Sequence, residues 1–212
     1  VKNYAYWLSK KYGTSYVIGP EVKGYEDNED FPVLRYTSVP IPGFDPYRIG
    51  MPKIDRDFNK QLEHIDFNLV HAHSPFMSGQ MAHKMAKTKK IPLVATFHSK
   101  YREDFKSKIS NDTLIELVVK RVVNFYESAD VVWVPARATA DVMRDYGYKG
   151  DVEVIPNGTD METPSKTDYE RYFDHGGALF DLDPNEFMFL FVGQHRWLKN
   201  IRLILDALKI VS

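Results

Sequence analysis

Residues 67–99, FNLVHAHSPFMSGQMAHKMAKTKKIPLVATFHS, carry the clearest indication of how this chain folds. Segment 91–97 is an almost unbroken apolar run and segment 67–72 is mainly apolar, which is typical of strands buried on both faces of a parallel sheet. Between them, residues 77–87 have apolar side chains at helical spacing. Strand, helix and strand in this order predict the βαβ unit of an α/β protein.

The same alternation extends along the chain in both directions. Upstream of residue 67 we predict a helix over 2–11, strands over 15–18 and 33–39, an irregular segment rich in Pro and Gly over 40–52, and a helix over 54–65. Downstream of residue 99 we predict a loop over 100–110, a buried crossover helix over 113–128, a strand over 130–134, a helix over 137–146 and a strand over 152–155. The pattern predicts an α/β fold with a doubly wound, Rossmann-like parallel sheet.

A domain boundary is predicted shortly after residue 155. The sequence Ile155-Pro156-Asn157-Gly158 interrupts the alternation and a polar stretch follows it. We predict one domain over residues 1–160, an interdomain linker over 161–186, and the first strand–loop–helix of a second Rossmann-like domain over 187–212. The chain begins with Val1 inside a helical pattern and ends inside another, so we expect it to be a fragment.

Composition excludes several function classes. The chain has no cysteine, which rules out a thiol nucleophile, thiolate-held iron–sulfur centres and Cys-type zinc sites. Its 28 Lys+Arg against 29 Asp+Glu argue against a nucleic-acid partner, because such proteins usually carry a basic excess. No apolar run is long enough to span a membrane, and no signal-peptide pattern opens the chain.

Polar residues cluster where three of the predicted strands end. His71, His73 and Ser74 end one strand, and His98 and Ser99 end the next. Ligands of parallel sheets bind at the carboxyl ends of strands, so these residues are candidates for a site. An imidazole such as that of His98 can hydrogen-bond a hydroxyl or a developing charge at neutral pH.

The third of these strands is predicted over 187–192, with a helix that begins at Lys199, and its end differs from the other two. Gly193 removes a side chain where a ligand could approach the backbone, and Arg196 and Lys199 add positive charge before a helix N-terminus. This combination suits a phosphate or diphosphate, whereas the alternative interpretation is an ordinary solvated basic turn. The glycine pattern matches neither a P-loop nor the dinucleotide fingerprint.

Two further hypotheses follow from the same residues. His71, His73 and His98 could form a three-His metal site, as in a metal-dependent hydrolase. Alternatively, the doubly wound sheet could belong to a non-catalytic module that binds a nucleotide-sugar. Stoichiometric zinc in the purified protein would favour the hydrolase. Binding of a nucleotide-sugar without transfer of the sugar to any acceptor would favour the non-catalytic module.

Four motifs in fixed order resemble those of retaining glycosyltransferase family 4. They are His71 to Phe76, Ile91 to Ser99, Val154 to Asp160, and Phe191-Val192-Gly193 with Lys199-Asn200. The resemblance implies the GT-B architecture, in which two Rossmann-like domains face a cleft. It also implies that residues 1–160 form the acceptor-side domain without its first strand, and that 187–212 begin the nucleotide-sugar domain.

The resemblance also implies roles for individual residues. His98 would be the catalytic histidine beside the transferred sugar, and His73, Ser74 and Ser99 would line the acceptor site. The donor site would be formed by Gly193, Gln194, Arg196 and Lys199. The family often has Arg where this chain has Gln194, so Arg196 is expected to supply part of the missing charge.

The activity implied by the resemblance is hexosyl transfer from a nucleotide-diphosphate sugar to an acceptor, with retained anomeric configuration and with no metal and no cofactor. The acceptor would be a glycan or a lipid, in cell-envelope glycan or glycolipid synthesis. Residues 97–104 are similar to those of members that glucosylate diacylglycerol. We therefore expect a cytoplasmic enzyme with peripheral contact at the inner face of the membrane, and we expect the fragment alone to be inactive.

Overall fold

Strands and helices alternate through the first 160 residues of the computed structural model. The structure describes the whole chain except residues 43–47, 161, 164, 169, 172–173, 176–188, 194–198 and 212. The upstream elements are α1 (Lys2–Lys11), β1 (Val17–Pro20), β2 (Val33–Tyr36), β3 (Ser38–Pro40), β4 (Arg48–Gly50) and α2 (Arg56–Glu63). The downstream elements are β5 (Val70–Ala72), α3 (Met77–Lys89), β6 (Leu93–Thr96), α4 (Tyr101–Lys106), α5 (Asp112–Glu127), β7 (Val131–Val134), α6 (Arg137–Asp145), β8 (Glu153–Val154) and, in the second unit, α7 (Ile201–Val211).

The central sheet has four parallel strands in the order β5-β6-β7-β8. Ala95 in β6 pairs with Ala72 in β5 on one side and with Val132 in β7 on the other. Every residue of β6 is buried, as expected for an inner strand covered by helices on both faces. The predicted α/β class with a parallel, Rossmann-like sheet is confirmed.

Helix α5 covers this sheet with one apolar face. Ile115, Val119 and Tyr126 are almost completely buried, and the Asn111 side chain caps the helix by accepting a hydrogen bond from the Leu114 amide. This cap satisfies one of the free amides at the start of the helix. The prediction of a buried crossover helix holds for this face only, because Leu114 and Leu117 on the other side are exposed.

The segment between residues 33 and 52 differs from the prediction. The single strand expected over 33–39 is two strands, since the amide and hydroxyl of Thr37 both donate to the Asp55 carboxylate between them. The irregular structure expected over 40–52 is also wrong in part, because Arg48–Gly50 pairs antiparallel with Ser38–Pro40. The Arg48 guanidinium donates to the Ser38 hydroxyl and carbonyl and so stabilises this hairpin.

Two smaller predictions also change. The strand expected over 15–18 lies at 17–20, where β1 pairs parallel with β2. The loop expected over 100–110 contains helix α4, which begins four residues after Phe97 and packs the Tyr101 ring against that of Phe97, with 5.4 Å between the ring centroids. The first helix of the chain, by contrast, has the predicted bounds.

A groove separates β1 from β5. Among the described residues, β1 pairs only with β2, and β5 only with β6. A cavity of about 500 Å³ lies beside both strands, lined mainly by apolar side chains of α1, such as Leu8, and of α3, such as Met81. The groove continues to His71, His73 and Ser74 at the end of β5.

Residues 161–212 form a second compact unit. The helix predicted from Lys199 is present as α7. The strand predicted over 187–192 is wrong for residues 189–192, which form no strand and expose Phe189, Leu190 and Val192; residues 187–188 lie outside the described residues. The limits and roles of the three predicted segments 1–160, 161–186 and 187–212 stay predictions. None of the helices in the described part of the chain is both long and apolar enough to cross a bilayer.

Candidate active site

The carboxyl ends of β5 and β6 bring three histidines together. His71 pairs in register with Val94, so the residues that follow the two strands leave the sheet side by side. The Nδ1 atom of His73 lies 3.0 Å from the Nε2 atom of His98. Their ring planes differ by only 19°, and the centroid separation of 5.3 Å fits two nearly coplanar rings that meet edge to edge through this hydrogen bond.

His71 is held by structural contacts rather than left open to a ligand. Its Nε2 atom lies 2.7 Å from the hydroxyl of Thr96, a buried polar residue of β6. Trp133 packs edge-on against the ring at 5.0 Å, and Tyr4 of α1 does so at 5.8 Å. These contacts give His71 a structural role beside the sheet.

Burial keeps all three imidazoles neutral at physiological pH. It lowers the pKa of His71 to about 4, and the charge that His98 would carry lowers it further. Burial, followed by the neighbouring His71 and His98, lowers the pKa of His73 to about 3. The pKa of His98 is also lowered, mainly because the protein replaces part of the water around this otherwise exposed ring. Neutral imidazoles can donate through one nitrogen and accept through the other.

The turn that carries Ser74 is held against helix α3. Gly79 makes this possible, because a Cβ atom at this position would collide with the Ser74 carbonyl oxygen and would lie 3.0 Å from the Phe125 ring. The Ser74 hydroxyl accepts a hydrogen bond from the Phe76 amide at 3.4 Å. Ser74 is half-buried and lines the groove described above. Sequence analysis did not single out Gly79.

The segment after His98 and Ser99 is anchored by a network around Tyr146. The Tyr146 hydroxyl accepts from the Arg102 amide at 2.8 Å and donates to the Glu103 carboxylate at 3.0 Å. The Arg102 guanidinium lies over the Tyr146 ring and forms a two-bond pair with Glu116. Burial raises the pKa of Tyr146, so its hydroxyl stays protonated and able to donate. These contacts hold α4, and with it the loop that carries Ser99.

The histidine cluster does not have the arrangement of a metal site. Within the described residues no group of three or more His, Asp or Glu side chains is placed to hold a metal ion. Instead, His71 is bonded to Thr96, and His73 is bonded directly to His98. The hydrolase hypothesis therefore receives no support from the geometry of this cluster.

The expected donor residues lie in the second unit and are described only in part. Gln194 and Arg196 lie outside the described residues. Gly193 is exposed, and a Cβ atom there would lie 3.1 Å from the Phe191 ring. Lys199 is exposed immediately before α7. The sequence interpretation missed Tyr4, Thr96 and Trp133, whose apolar or strand-like positions carry no signal of a role beside the histidines.

This chain is similar to known proteins over most of its length. A family model described as Glycosyltransferase Family 4 matches residues 1–163. An alpha-monoglucosyldiacylglycerol synthase of Streptococcus pneumoniae (strain ATCC BAA-255 / R6) is 28% identical over 159 residues, which cover 73% of this chain and 35% of the relative. A protein of the same name from Acholeplasma laidlawii is 22% identical over 160 residues, covering 73% of this chain and 40% of the relative. The match thus spans between about a third and two fifths of the relatives' length.

Proposed function

The chain belongs to glycosyltransferase family 4, and from this premise we propose that the protein transfers a hexose from a nucleotide-diphosphate sugar to an acceptor with retention of anomeric configuration. The observation that carries the proposal is His98, a neutral and exposed imidazole at the carboxyl end of an inner strand, bonded on one side to His73. In parallel sheets this edge is where ligands bind.

His98 acts in this proposal as the group beside the transferred sugar. A neutral ring offers one nitrogen to a sugar hydroxyl while the other stays bonded to His73. The bond between the anomeric carbon and the diphosphate oxygen breaks, and its electron pair leaves with the diphosphate. The acceptor hydroxyl oxygen bonds to the same carbon, and the hydroxyl proton passes to the leaving diphosphate. Lys199, Arg196 and Gln194 would hold the growing negative charge, with the backbone at Gly193 close to the phosphates. Stabilisation of charge that develops in the transition state is commonly the largest single contribution to catalysis.

We propose that the acceptor is a lipid of the diacylglycerol type and that the protein meets it at a membrane surface. The names of the two relatives support this choice, since both are alpha-monoglucosyldiacylglycerol synthases. Phe76 and Met77, directly after the Ser74 turn, are 42% and 41% exposed, which leaves apolar side chains beside the expected acceptor residues. Lys84 and Lys87 are exposed further along the same helix and suit an anionic bilayer.

The test is a donor screen on the intact protein with diacylglycerol-containing anionic vesicles, with release of nucleoside diphosphate as the readout. We expect one nucleotide-sugar to support release, and we expect His98→Ala to lower the rate about 100-fold. His64→Ala, an exposed position just after α2, is the matched control. Tight donor binding without transfer to any acceptor would favour a binding module and contradict the proposal.

We also propose that residues 1–160 form the acceptor-side domain and that this domain takes one strand more than the described residues supply. The groove between β1 and β5 supports this, because both flanking edges belong to parallel strand pairs and the lining is mainly apolar. An inserted strand would lie about 4.8 Å from each neighbour. Amides of β1 and β5 that face the groove should exchange hydrogen more slowly in the intact protein than in the 212-residue chain, and equal rates would contradict the proposal.

A further inference from the structure

The contact between His73 and His98 assigns His73 a part in the reaction that differs from acceptor binding. We propose that His73 is a positioning residue, which fixes the ring orientation and the tautomer of His98. The inference rests on the proposed function, since it deepens the role of His98 in sugar transfer. It is supported by the geometry of the pair, by the packing behind His73, and by the difference in exposure between the two rings.

The hydrogen bond of this pair determines what His98 can offer a ligand. Because Nδ1 of His73 and Nε2 of His98 are 3.0 Å apart and both rings are neutral, a single proton lies between them. The Nε2 atom of His98 is thereby engaged, which leaves its Nδ1 atom for a ligand. If His98 donates to His73, that Nδ1 atom is an acceptor; if His98 accepts, it is a donor.

The ring of His73 is fixed by packing, so its hydrogen bond can hold the His98 ring in one orientation. It packs against His71 with ring centroids 4.1 Å apart, and Tyr4 of α1 lies at 5.8 Å. His71 is in turn bonded to Thr96 within the buried strand β6. Contacts therefore run from Thr96 in the inner strand through His71 to His73. The hydrogen bond between His73 and His98 then fixes the orientation of the His98 ring.

His98 depends on this hydrogen bond for its orientation because few other contacts with the described residues are available at its position. It is exposed and lies one residue beyond the buried Phe97, where the strand has already ended. A free imidazole in this place could rotate and exchange tautomers. Each change would replace an acceptor by a donor at the atom that faces the sugar hydroxyl. Catalysis is sensitive to misplacement of this kind, and errors of about 1 Å can lower rates about 100-fold.

The experiment compares three variants of the intact protein, labelled with ¹⁵N at histidine. His73→Leu removes the hydrogen bond, and His73→Asn retains an amide close to the former Nδ1 position. His64→Leu, at an exposed position just after α2, is the matched control. In the unaltered protein, nitrogen shifts should show one tautomer of His98. We expect His73→Leu to average these shifts, His73→Asn to restore them in part, and His64→Leu to leave them unchanged.

Kinetics on the same variants show whether the fixed tautomer matters for transfer. We expect kcat to fall at least about 10-fold in His73→Leu and to recover in part in His73→Asn, with the donor KM within about twofold of the unaltered protein. A purely structural or acceptor-binding role of His73 would not produce a lower kcat, an unchanged donor KM and mixed tautomers of His98 together. Thermal melting identifies a variant that fails to fold, and the Asn variant then remains as the test.

Two results would overturn the inference. One is a folded His73→Leu protein in which His98 keeps a single tautomer. The other is a variant in which the tautomers mix while kcat is unchanged, which would leave the proposed transferase function intact. Failure of the proposed function looks different: the intact protein would transfer no sugar from any donor, while the nitrogen shifts would still report on the His73–His98 pair.

Discussion

The two units of this chain present their candidate residues in opposite ways. In the first unit, His73 and His98 are bonded to each other at the end of a buried sheet, and the turns around them are packed by Gly79 and Tyr146. In the second unit, Lys199 is exposed beside α7. The histidines are ordered by the fold around them, whereas the lysine offers a charge whose use depends on the ligand it meets.

This difference separates two kinds of contribution to catalysis. A preorganised group contributes less to the reaction rate when the residues around it move, even if the group itself is unchanged. A charged group is sensitive to removal of the charge and tolerant of changes in its neighbours, because electrostatic attraction has no strict geometry. The predictions below test this contrast.

The largest effect is expected at Lys199. Replacing it with Ala in the intact protein should lower sugar transfer between about 100- and 1000-fold, because one group that stabilises the leaving diphosphate is lost. Lys199→Arg should retain much more of the rate, since the charge remains. The control is Lys209→Ala, an exposed position within helix α7, which begins two residues after Lys199. Steady-state release of nucleoside diphosphate measures all three, and a normal rate in Lys199→Ala would remove the lysine from the donor site.

Gly79→Ala should lower the free energy of unfolding, because it disturbs the packing of the turn that carries Ser74. The added methyl group meets the Ser74 carbonyl and the Phe125 ring, and overpacking of this kind destabilises a protein by about 1–3 kcal/mol. Gly158→Ala is the matched control, because a Cβ atom there has nothing within 4 Å. Chemical denaturation of both variants gives the change in free energy of unfolding. Equal stability of the two would show that the Ser74 turn is less tightly held than we infer.

Acidification should destabilise the first unit before the carboxylates titrate. The pKa values of His71 and His73 in the folded chain lie below the ordinary value of 6.5. Between about pH 5 and 6.5 the unfolded chain therefore binds more protons than the folded one, and stability falls as pH falls. Each histidine contributes at most about 1.4 kcal/mol per pH unit in this range.

His73→Asn should make that pH dependence shallower, because one of the two low-pKa imidazoles is then absent. His64→Asn, at the exposed position after α2, is the control substitution. Thermal melting between pH 5 and 7 measures the slope in each protein. A slope unchanged by His73→Asn would mean that the ring does not resist protonation in the folded state.

The smallest effect is expected from the anchor of α4. Tyr146→Phe removes the hydroxyl that accepts from the Arg102 amide and donates to Glu103, and loss of such bonds costs about 1 kcal/mol. Tyr12→Phe, at an 83% exposed position, controls for the chemical change itself. Denaturation curves for the two should differ by about this amount. If they coincide, the network around Tyr146 does not stabilise the segment after His98.

The local pattern of apolar and polar residues was sufficient to predict most strands of the central sheet and several of the helices. Continuous apolar runs placed β5, β6 and β7, and helical spacing placed α1 and α5, because burial on one or two faces imposes these periods directly on the chain. The positions of His73 and His98 at neighbouring strand ends followed from the same pattern. What failed was structure held by specific side chains, such as the hairpin of β3 and β4, which depends on Arg48 reaching Ser38.

The sequence by itself determined the α/β class, the family motifs and the placement of polar residues at strand ends, since these depend on periodicity and order along the chain. Only the tertiary structure decided that His71 is bonded to Thr96, that His73 is bonded to His98, and that Tyr4 packs beside them. These contacts join residues far apart in the chain, and no local pattern encodes which ring nitrogen meets which partner. The physical reason is that hydrogen-bond direction and burial are properties of the assembled packing.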